Sequence, residues 1–443
     1  MHIDARDSNA QYFPHNMTQS IVIIGAGFAG VWSALSARRL LALHLDKNPA
    51  AADIQVVLVA PEPQLVIRPR LYEADPASLA VPLTDLFGAA GVRFVQGSVE
   101  TIRTEQKEVI IIGPTGAEST LPYDRLVLAA GSSLVRPPVP GLGEHAFNVD
   151  QLSAAVELEA HLQGLKSQPP SPARNTVIVC GAGFTGIELA TELPARLRSI
   201  LGVETETKVL LVSQGEQVGD TLGPGPRPVI SQALKELGIE TKLGVRITAI
   251  DADGITTHTG ERIEAMTTIW TAGVAATKLT QQIPGTKDAL GRLHVDQDLR
   301  LPSDGDIFVA GDAACAPTGA PGHASMMSCQ HAMPLGRAAG NNAAADLLGI
   351  PASPYSQPTY VTCLDLGDYG AVFTHGWERK MVFSGAMAKR IKTYINQSLI
   401  YPPEGSDPSK IFDAAKPVQP SYTSQQLLNA ALTSISFVAS RIL

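Results

Sequence analysis

The sequence has few of the residues that would point to several common kinds of protein, cysteine first among them. Of its 443 residues only four are cysteine, at 180, 315, 329 and 363, and no two of them form a C-x-x-C pair. A redox-active disulfide between neighbouring residues and a structural zinc site are therefore not expected. Scattered thiols are typical of a reducing compartment. We accordingly expect a cytoplasmic protein without a bound metal.

Positive charge, aromatic residues and long apolar runs are also scarce. Lys and Arg number 34 against 42 Asp and Glu, a net charge of −8, and aromatic residues make up 5%. Because nucleic-acid-binding proteins present basic surfaces and stacking aromatics, no nucleic-acid partner is expected. No apolar run reaches 18 residues, so no transmembrane helix is predicted. Residues 1–17 do not have the pattern of a secretory signal; they are interpreted as a polar extension or as another kind of targeting segment.

Apolar residues and glycine, by contrast, are plentiful. Hydrophobic residues make up 44% of the chain, which is ample for packed cores and excludes a largely disordered protein. A chain of this length is expected to form two or three domains. The 39 glycines predict many tight turns and close approaches between backbones.

A glycine-rich motif follows the first β-branched run. Residues 21–24 predict a buried strand that leads directly into Gly25-Ala26-Gly27-Phe28-Ala29-Gly30, and a helix over 31–40 and a strand over 54–59 follow. In such a βαβ unit the first glycine makes the tight turn, the second admits a pyrophosphate, and the third lets helix and strand pack closely. The N-terminus of the helix then offers free N–H groups to phosphates.

The same pattern returns later in the chain. A strand over 176–180 leads into Gly181-Ala182-Gly183-Phe184-Thr185-Gly186, followed by a helix over 187–193 and a strand over 208–212. One such motif is weak evidence, and glycine turns that hold no ligand remain the alternative. Two copies, each between a strand and a helix, predict two dinucleotide sites. The natural pair of ligands is FAD and NADH or NADPH.

Three further strands end in small residues, as is needed where a backbone passes a bulky cofactor. They are the strand over 123–128, which is followed by Ala129-Ala130-Gly131, the strand over 268–271, which is followed by Ala272-Gly273, and the strand over 306–310, which is followed by Gly311-Asp312.

Together these segments resemble flavoprotein reductases with two dinucleotide domains, and among them the type II NADH:quinone oxidoreductases. The matching stretches are IVIIGAGFAG, RLVLAAGSS, VIVCGAGFTGIELATEL, IWTAGV and RLHVDQDLRLPSDGDIFVAGDAA, which lie within residues 20–340. The resemblance implies an α/β fold with two Rossmann-like dinucleotide-binding domains, one inserted in the other, and a small C-terminal α+β region. The FAD domain would comprise 18–145 and 290–345, the NAD(P)H domain 146–289, and the C-terminal region 346–443.

The resemblance also implies roles for single residues. Asp312 would hydrogen-bond the FAD ribitol or phosphate, with a turn-capping Asp as the alternative. Glu188 would lie close to the nicotinamide and the flavin, where it orients the amide or relays a proton; an exposed first-turn glutamate is the alternative.

The quinone-reducing relatives carry an A-Q-x-A-x-Q-Q-G pattern, which this chain keeps only in part. Gln330 keeps the first glutamine, whereas Pro334 and Leu335 replace the other two and weaken the prediction of a quinone. His331, inside the same stretch, is either a proton donor to the acceptor or a packed helix histidine.

The strand ends that usually carry an acid for the ribose hydroxyls do not carry one here. In the first unit Ala60 holds that place, and Glu62 follows two residues later. In the second unit Ser213 holds that place, so NADPH is as plausible a donor as NADH. The alternative is that Ser213 merely ends the strand.

The candidate cofactor residues form two sets. Those for FAD are Gly25, Gly27, Phe28, Ala29, Gly30, Glu62, Ala130, Gly131, Gly311 and Asp312. Those for NAD(P)H are Gly181, Gly183, Phe184, Thr185, Gly186, Ser213, Ala272 and Gly273.

The C-terminal region is expected to hold two strands, over 360–367 and 371–374, and a helix over 387–399. A last amphipathic helix over 425–443 would contact the inner face of a membrane, the body of the protein or a second copy in a homodimer. Because Arg441 is its single basic residue, packing is favoured over membrane binding.

The sequence therefore predicts an FAD-dependent NAD(P)H dehydrogenase that passes two electrons to a quinone or quinone-like small molecule. One alternative is a flavoprotein reductase or oxidase that acts on another small molecule or on a small electron-transfer protein. The other is a redox-sensing, nucleotide-binding interaction protein.

Overall fold

The computed structural model describes residues 19–417 and Asn429. The predicted extension over 1–17 and, apart from Asn429, the predicted helix over 425–443 lie outside the described residues. Within them the predicted α/β fold class is confirmed: two parallel sheets of the kind found in dinucleotide-binding domains are present. The domain boundaries stay predictions.

The first ten strands build most of the first parallel sheet, a two-stranded antiparallel sheet and a three-stranded one. The strands are β1 (Ser20–Ile24), β2 (Gln55–Ala60), β3 (Gln64–Val66), β4 (Ala80–Pro82), β5 (Arg93–Gln96), β6 (Ser98–Arg103), β7 (Glu108–Ile112), β8 (Glu118–Pro122), β9 (Arg125–Leu128) and β10 (Ser132–Leu134). The two-stranded sheet is β3-β4 and the three-stranded one is β6-β7-β8, while β10 pairs with the later strand Val274–Ala276. The helices are α1 (Phe28–His44), α2 (Thr84–Ala90) and the single turn α3 (Leu142–His145).

The next segment builds the second parallel sheet and another antiparallel one. Its strands are β11 (Ala146–Phe147), β12 (Thr176–Cys180), β13 (Lys208–Val212), β14 (Ile239–Lys242), β15 (Ile247–Asp251), β16 (Gly254–Thr257), β17 (Arg262–Glu264) and β18 (Thr267–Trp270). Its helices are α4 (Leu152–Gly164), α5 (Phe184–Leu201) and α6 (Arg227–Glu236).

The remaining segment returns to the first sheet and then forms a three-stranded antiparallel sheet. Its strands are β19 (Val274–Ala276), β20 (Leu293–His294), β21 (Arg300–Leu301), β22 (Asp304–Val309), β23 (Ala314–Cys315), β24 (Val361–Asp365), β25 (Ala371–His375) and β26 (Lys380–Ser384). Its helices are α7 (Cys329–Leu347), α8 (Gly385–Tyr394) and α9 (Pro408–Ala414).

The first parallel sheet has the strand order β21-β22-β9-β1-β2-β5, in which the edge pair β21–β22 is antiparallel and the other pairings are parallel. Its strands therefore come from both sides of the second sheet in the chain. The runs SIVII and QVVLVA are β-branched, and their central residues are buried, as expected of strands covered on both faces. The second sheet has the order β11-β18-β12-β13-β14, with every pairing parallel.

Helices α1 and α7 approach each other so closely that only glycine fits between them. A Cβ at Gly336 would lie 2.2 Å from the carbonyl oxygen of Ala29, and one at Gly340 would lie 1.9 Å from that of Ser33. This contact fixes the start of α7 beside the first glycine motif.

The C-terminal sheet differs from its prediction in one strand and one helix. Two strands were predicted, and β26 is a third that pairs with β25. The predicted helix over 387–399 is α8, which begins earlier and ends in a single π-helical turn over Ile395–Leu399. The turn after β24 packs directly on the backbone of α5: a Cβ at Gly367 would lie 2.2 Å from the carbonyl oxygen of Thr191.

Candidate active site

A large cleft lies at the carboxyl ends of both parallel sheets. Its volume is about 2300 Å³, and its walls include the ends of β1, β2 and β18 and the starts of α1, α5 and α7. Carboxyl ends of parallel strands are where open α/β sheets bind ligands, and a typical ligand pocket measures roughly 300–1,000 Å³. The cleft therefore has room for more than one ligand.

The first glycine motif forms one wall of this cleft in the way the sequence predicts. Gly25 has a positive φ of 106°, and a Cβ there would lie 2.6 Å from the carbonyl oxygen of Ala129. A Cβ at Gly30 would lie 1.8 Å from the carbonyl oxygen of Gly25. Gly27 faces open space and begins α1 without a side-chain cap, so the first N–H groups of the helix are free.

The second motif repeats this geometry on the opposite side. Gly181 has a φ of 120°, and a Cβ at Gly186 would lie 1.8 Å from the carbonyl oxygen of Gly181. Gly183 faces open space and begins α5, again without a side-chain cap. Phe184 and Thr185 line the cleft. Both motifs thus offer an uncapped helix N-terminus to one shared space.

A polar cluster surrounds Asp312 at the cleft wall. The hydroxyl of Ser132 donates to Asp312 Oδ2 at 2.6 Å and accepts from Arg68 Nη1 at 2.9 Å. Arg68 also forms an ion pair with Asp150, whose Oδ2 accepts from the N–H of Leu134 at 3.1 Å. Burial raises the pKa of Asp312. The cluster presents hydrogen-bonding groups to a polyhydroxyl chain or a phosphate.

Glu188 lies on the first turns of α5, on the opposite wall. Its side chain is only 4% exposed, so the alternative of an exposed first-turn glutamate is wrong. Lys392 Nζ lies 2.7 Å from Glu188 Oε1, which also accepts the N–H of Asp365 at 3.0 Å. Burial raises the pKa of Glu188 to about 7, although the charge of Lys392 opposes the shift. A buried acid that titrates near neutral pH can hold or release a proton.

The start of α7 supplies the remaining candidates. Gln330 lines the cleft. His331 is fully buried away from it, with its ring 5.2 Å from the ring of Tyr360 and its Nδ1 3.2 Å from Ser328 Oγ. Burial lowers the pKa of His331 to about 3, so the ring is neutral at physiological pH. This position favours the packed-histidine alternative over a proton donor.

Comparison with known proteins identifies the family. A family model described as pyridine nucleotide-disulphide oxidoreductase matches residues 19–336. The chain belongs to this family. It is 45% identical over 404 residues to an NADH dehydrogenase-like protein of Mycobacterium tuberculosis, which covers 90% of this chain and 99% of that protein.

Two more distant comparisons agree with that result. The type II NADH:quinone oxidoreductase Ndh of Mycobacterium tuberculosis is 28% identical over 331 residues, 68% of each chain. The structure of NDH2 from Plasmodium falciparum in complex with NADH has the same fold, with a TM-score of 0.71, 13% identity, and coverage of 90% of this chain and 97% of that one. This member of the family is thus an NADH dehydrogenase-like flavoprotein oxidoreductase, and membership implies FAD and NAD(P)H.

The four cysteines of this oxidoreductase are free thiols. Burial raises the pKa of each, to about 11 for Cys329, so the thiols stay protonated at neutral pH. In the part of the chain that the structure describes, no group of three or more His, Cys, Asp or Glu could hold a metal ion, and no helix is long and apolar enough to cross a bilayer.

The structure brings most of the predicted cofactor residues to the cleft. Those that line the cleft are Gly25, Gly27, Phe28, Ala29, Glu62, Ala130, Gly131, Gly183, Phe184, Thr185, Gly273, Gly311 and Asp312. Those absent from the lining are Gly30, Gly181, Gly186, Ser213 and Ala272. Of these, Gly30, Gly181 and Gly186 shape the two turns. The hydroxyl of Ser213 accepts the N–H of Gly215 at 3.2 Å.

Sequence reasoning missed several polar residues at or beside the cleft. Arg68, Ser132 and Asp150 surround Asp312, and Lys392 and Asp365 surround Glu188. Ser132 lies in the stretch RLVLAAGSS but was not singled out there, and the other four lie in no recognisable motif. The one available signal was the cluster of basic residues on α8, at positions 389, 390 and 392.

Proposed function

We propose that this oxidoreductase binds FAD at the first glycine motif, oxidises NAD(P)H bound at the second, and reduces a quinone or quinone-like small molecule. The observation that supports the proposal is that the two uncapped glycine motifs and the buried Glu188 share a single cleft. Two dinucleotides that share one space can bring their reactive rings into contact, which is the positioning that hydride transfer needs.

The residues around the first motif fit FAD. Gly25 and Gly27 would let the pyrophosphate approach the start of α1, while Asp312, held by Ser132 and Arg68, would hydrogen-bond the ribityl chain. When bound, the flavin supplies two-electron chemistry between a nicotinamide and an acceptor. The protein contributes binding, orientation and electrostatics.

The pair of Glu188 and Lys392 would serve the proton side of the reaction. Reduction of a quinone consumes protons as well as electrons. Glu188 Oε1 is shielded from bulk water at the cleft wall, and burial keeps its pKa near neutrality. Lys392 Nζ, 2.7 Å away, holds the carboxylate in place after its proton has left.

The wall beyond Gln330 is suited to an apolar acceptor. Ten of the cleft-lining residues between 326 and 400 are aliphatic, aromatic or thioether side chains: Met326, Met327, Met333, Pro334, Val361, Val382, Phe383, Ile395, Leu399 and Ile400. Polar and charged side chains, Gln357, Arg379 and Lys392 among them, line the cleft from the same part of the chain. The apolar part of this wall favours a planar, weakly polar ring over a charged metabolite. Pro334 stands in this wall where quinone-reducing relatives carry glutamine, so a small molecule other than a quinone is the second candidate.

We propose NADH as the electron donor. The 2′-phosphate of NADPH is usually held by a cation beside the end of β13. Ser213 offers only a hydroxyl at this end, and the adjacent Lys242 pairs with Glu261 at 2.6 Å. Arg246 is an exposed cation that follows Val245, whose N–H donates to the carbonyl oxygen of Ser213, and a preference for NADPH would implicate it.

Steady-state assays with an acceptor panel test the proposed function. The FAD-loaded protein is assayed with NADH and with NADPH against a short-chain quinone, oxygen and a ferredoxin-like protein. We expect the highest kcat/KM for NADH with the quinone. Faster turnover with oxygen or with the protein acceptor would contradict the quinone assignment. Slow turnover with every acceptor, together with a redox-dependent change of oligomeric state, would favour the interaction protein.

A further inference from the structure

The C-terminal sheet brings a second charged pair beside Glu188 and Lys392. Asp365, the last residue of β24, accepts from Lys389 Nζ at 2.5 Å, and its side chain is 8% exposed. Lys389 and Lys392 lie on consecutive turns of α8, so two buried carboxylates face two lysines of one helix. Asp365 does not line the cleft.

Asp365 makes contacts to three separate elements. Its main-chain N–H donates to Glu188 Oε1 on α5 at 3.0 Å. Its carboxylate accepts from Lys389 on α8 and, at 3.3 Å, from the hydroxyl of Tyr72 in the segment between β3 and β4. The N–H of Gly367 donates to Asp365 Oδ1 at 3.0 Å and holds the carboxylate in that orientation.

Asp365 links α5 to α8 through two contacts. The Glu188–Lys392 pair joins side chains of these two helices, which belong to distant parts of the chain. Asp365 binds Glu188 through its backbone and α8 through Lys389, one turn before Lys392. Its two contacts therefore hold both members of the pair.

The charges around Glu188 give Asp365 an electrostatic role as well. Lys392 on α8 attracts the Glu188 carboxylate, and Asp365 on β24 repels it. The other titratable groups that face Glu188 are Tyr72 and Cys363, and burial raises the pKa of both, so they stay neutral. Glu192, one turn further along α5, faces Lys389 and Arg196. Asp365 is thus the carboxylate that offsets the lysines of α8.

We propose that Asp365 is a positioning residue: its main-chain N–H and its pairing with Lys389 hold Glu188 and Lys392 in register at the cleft wall, and its negative charge offsets the lysines of α8. The proposal deepens the proposed function and rests on it, because the proton on Glu188 has a use only if the cleft reduces an acceptor. Asp365 acts through Glu188 and touches neither cofactor nor acceptor.

The direct test is an infrared pH titration of the FAD-loaded protein. A protonated, buried carboxylic acid has its own carbonyl-stretching band, and the part of the band that Glu188→Gln removes belongs to Glu188. In the wild type this part should titrate with a midpoint near 7. Asp365→Asn keeps the main-chain N–H and Oδ1 as an acceptor for Lys389 and Gly367, so it preserves the geometry and removes only the repelling charge. The midpoint should therefore fall by about one pH unit.

Two further variants keep the test decisive. Asp368→Asn removes an acid from the same turn, but this side chain is 69% exposed and its partner is Arg198 at 3.7 Å, so the midpoint should not move. Lys389→Met removes the partner of Asp365 and should shift the midpoint upward. If Asp365→Asn does not fold, the titration midpoint of Lys389→Met decides whether the proposal holds.

An unchanged or higher midpoint in folded Asp365→Asn would overturn the proposal, as would an unchanged midpoint in Lys389→Met. A wild type in which no part of the band titrates with Glu188 would also overturn it. The band does not depend on electron transfer. If the variants show the expected shifts but the wild-type protein reduces no acceptor, the proposed function is contradicted and the positioning role of Asp365 is retained.

Discussion

The two glycine motifs are nearly identical in sequence, yet the helical turn after the first carries a tryptophan and the one after the second carries a glutamate. Trp32 and Glu188 occupy the same place, the seventh residue after the first glycine of GAGFAG and GAGFTG. Both are buried, at 3% and 4% exposed. Arg337 lies over the indole of Trp32, 4.0 Å from the ring centroid, whereas Lys392 lies 2.7 Å from the carboxylate of Glu188.

The same βαβ unit therefore serves two purposes in this protein. In the first unit α1 packs against α7, and the turn of α1 after the glycine motif carries the indole of Trp32, which cannot exchange a proton. In the second unit α5 is covered by β24 and α8, and its next turn presents an acid that titrates near neutral pH. The first unit is suited to holding a cofactor, and the second to proton chemistry beside a substrate.

The largest expected effect comes from an alanine at the first glycine of either motif. Gly25→Ala and Gly181→Ala each introduce a Cβ at positive φ against a neighbouring backbone or side chain. Strain of roughly 1–3 kcal/mol corresponds to roughly a 10- to 100-fold loss of affinity. We expect Gly25→Ala to be purified with little flavin, and Gly181→Ala to stay yellow but bind NADH weakly.

Absorbance at the flavin band and NADH titration measure these two outcomes. Gly164→Ala, where a Cβ has nothing within 4 Å, is the control and should match the wild type. Loss of flavin from Gly181→Ala with retention in Gly25→Ala would reverse the assignment of the two units.

An effect of comparable size is expected at Glu188. Glu188→Gln should lower turnover with a quinone by about 100-fold, the scale of general acid catalysis. In the wild type, turnover should fall as pH rises through about 7, because Glu188 then loses its proton. The variant should lose this dependence. Trp32→Phe, at the matched position, should keep the pH profile; if it flattens the profile as well, the contrast between the units is wrong.

Lys392→Met should change the pH profile without abolishing it. Without the ammonium group, the anionic form of Glu188 loses its partner, so its pKa rises further. The fall in turnover should then move upward by about one pH unit or more. A downward move, or none, would show that Lys392 does not govern the charge of Glu188.

The smallest effect is expected for Arg337→Met, which removes the cation from the ring of Trp32. A buried cation–π contact contributes about 0.5–2 kcal/mol, so thermal unfolding should shift by a few degrees. The pH profile of turnover should stay where it is. Calorimetry and a pH series on the same preparation separate the two effects, and a moved profile would contradict the purely structural role of Trp32.

The parts of the site that could be predicted from the sequence are those with local motifs. Gly25, Gly181, Glu188 and Asp312 lie next to strands whose pattern fixes their position, and three of them line the cleft or carry the buried pair. The βαβ units followed from the same repeats, and the complete fold class from the family resemblance that these repeats and the other matching stretches carry.

The remainder depends on contacts between distant segments. Asp365 and Lys392 reach Glu188 from positions more than 170 residues further along the chain, and only the packing of β24 and α8 on α5 brings them together. Arg68 and Asp150 lie in connecting segments without periodicity. His331 shows the opposite problem, because a residue in a recognisable stretch points into the core, where burial keeps it neutral.

Anaerobic rapid mixing tests the central claim, that both units serve one reaction in one cleft. The FAD-loaded protein is mixed with NADH while the flavin absorbance is followed, and a short-chain quinone is added in a second push. We expect loss of the yellow colour on the first mixing and its return on the second. A flavin that stays oxidised in the presence of saturating NADH would contradict it.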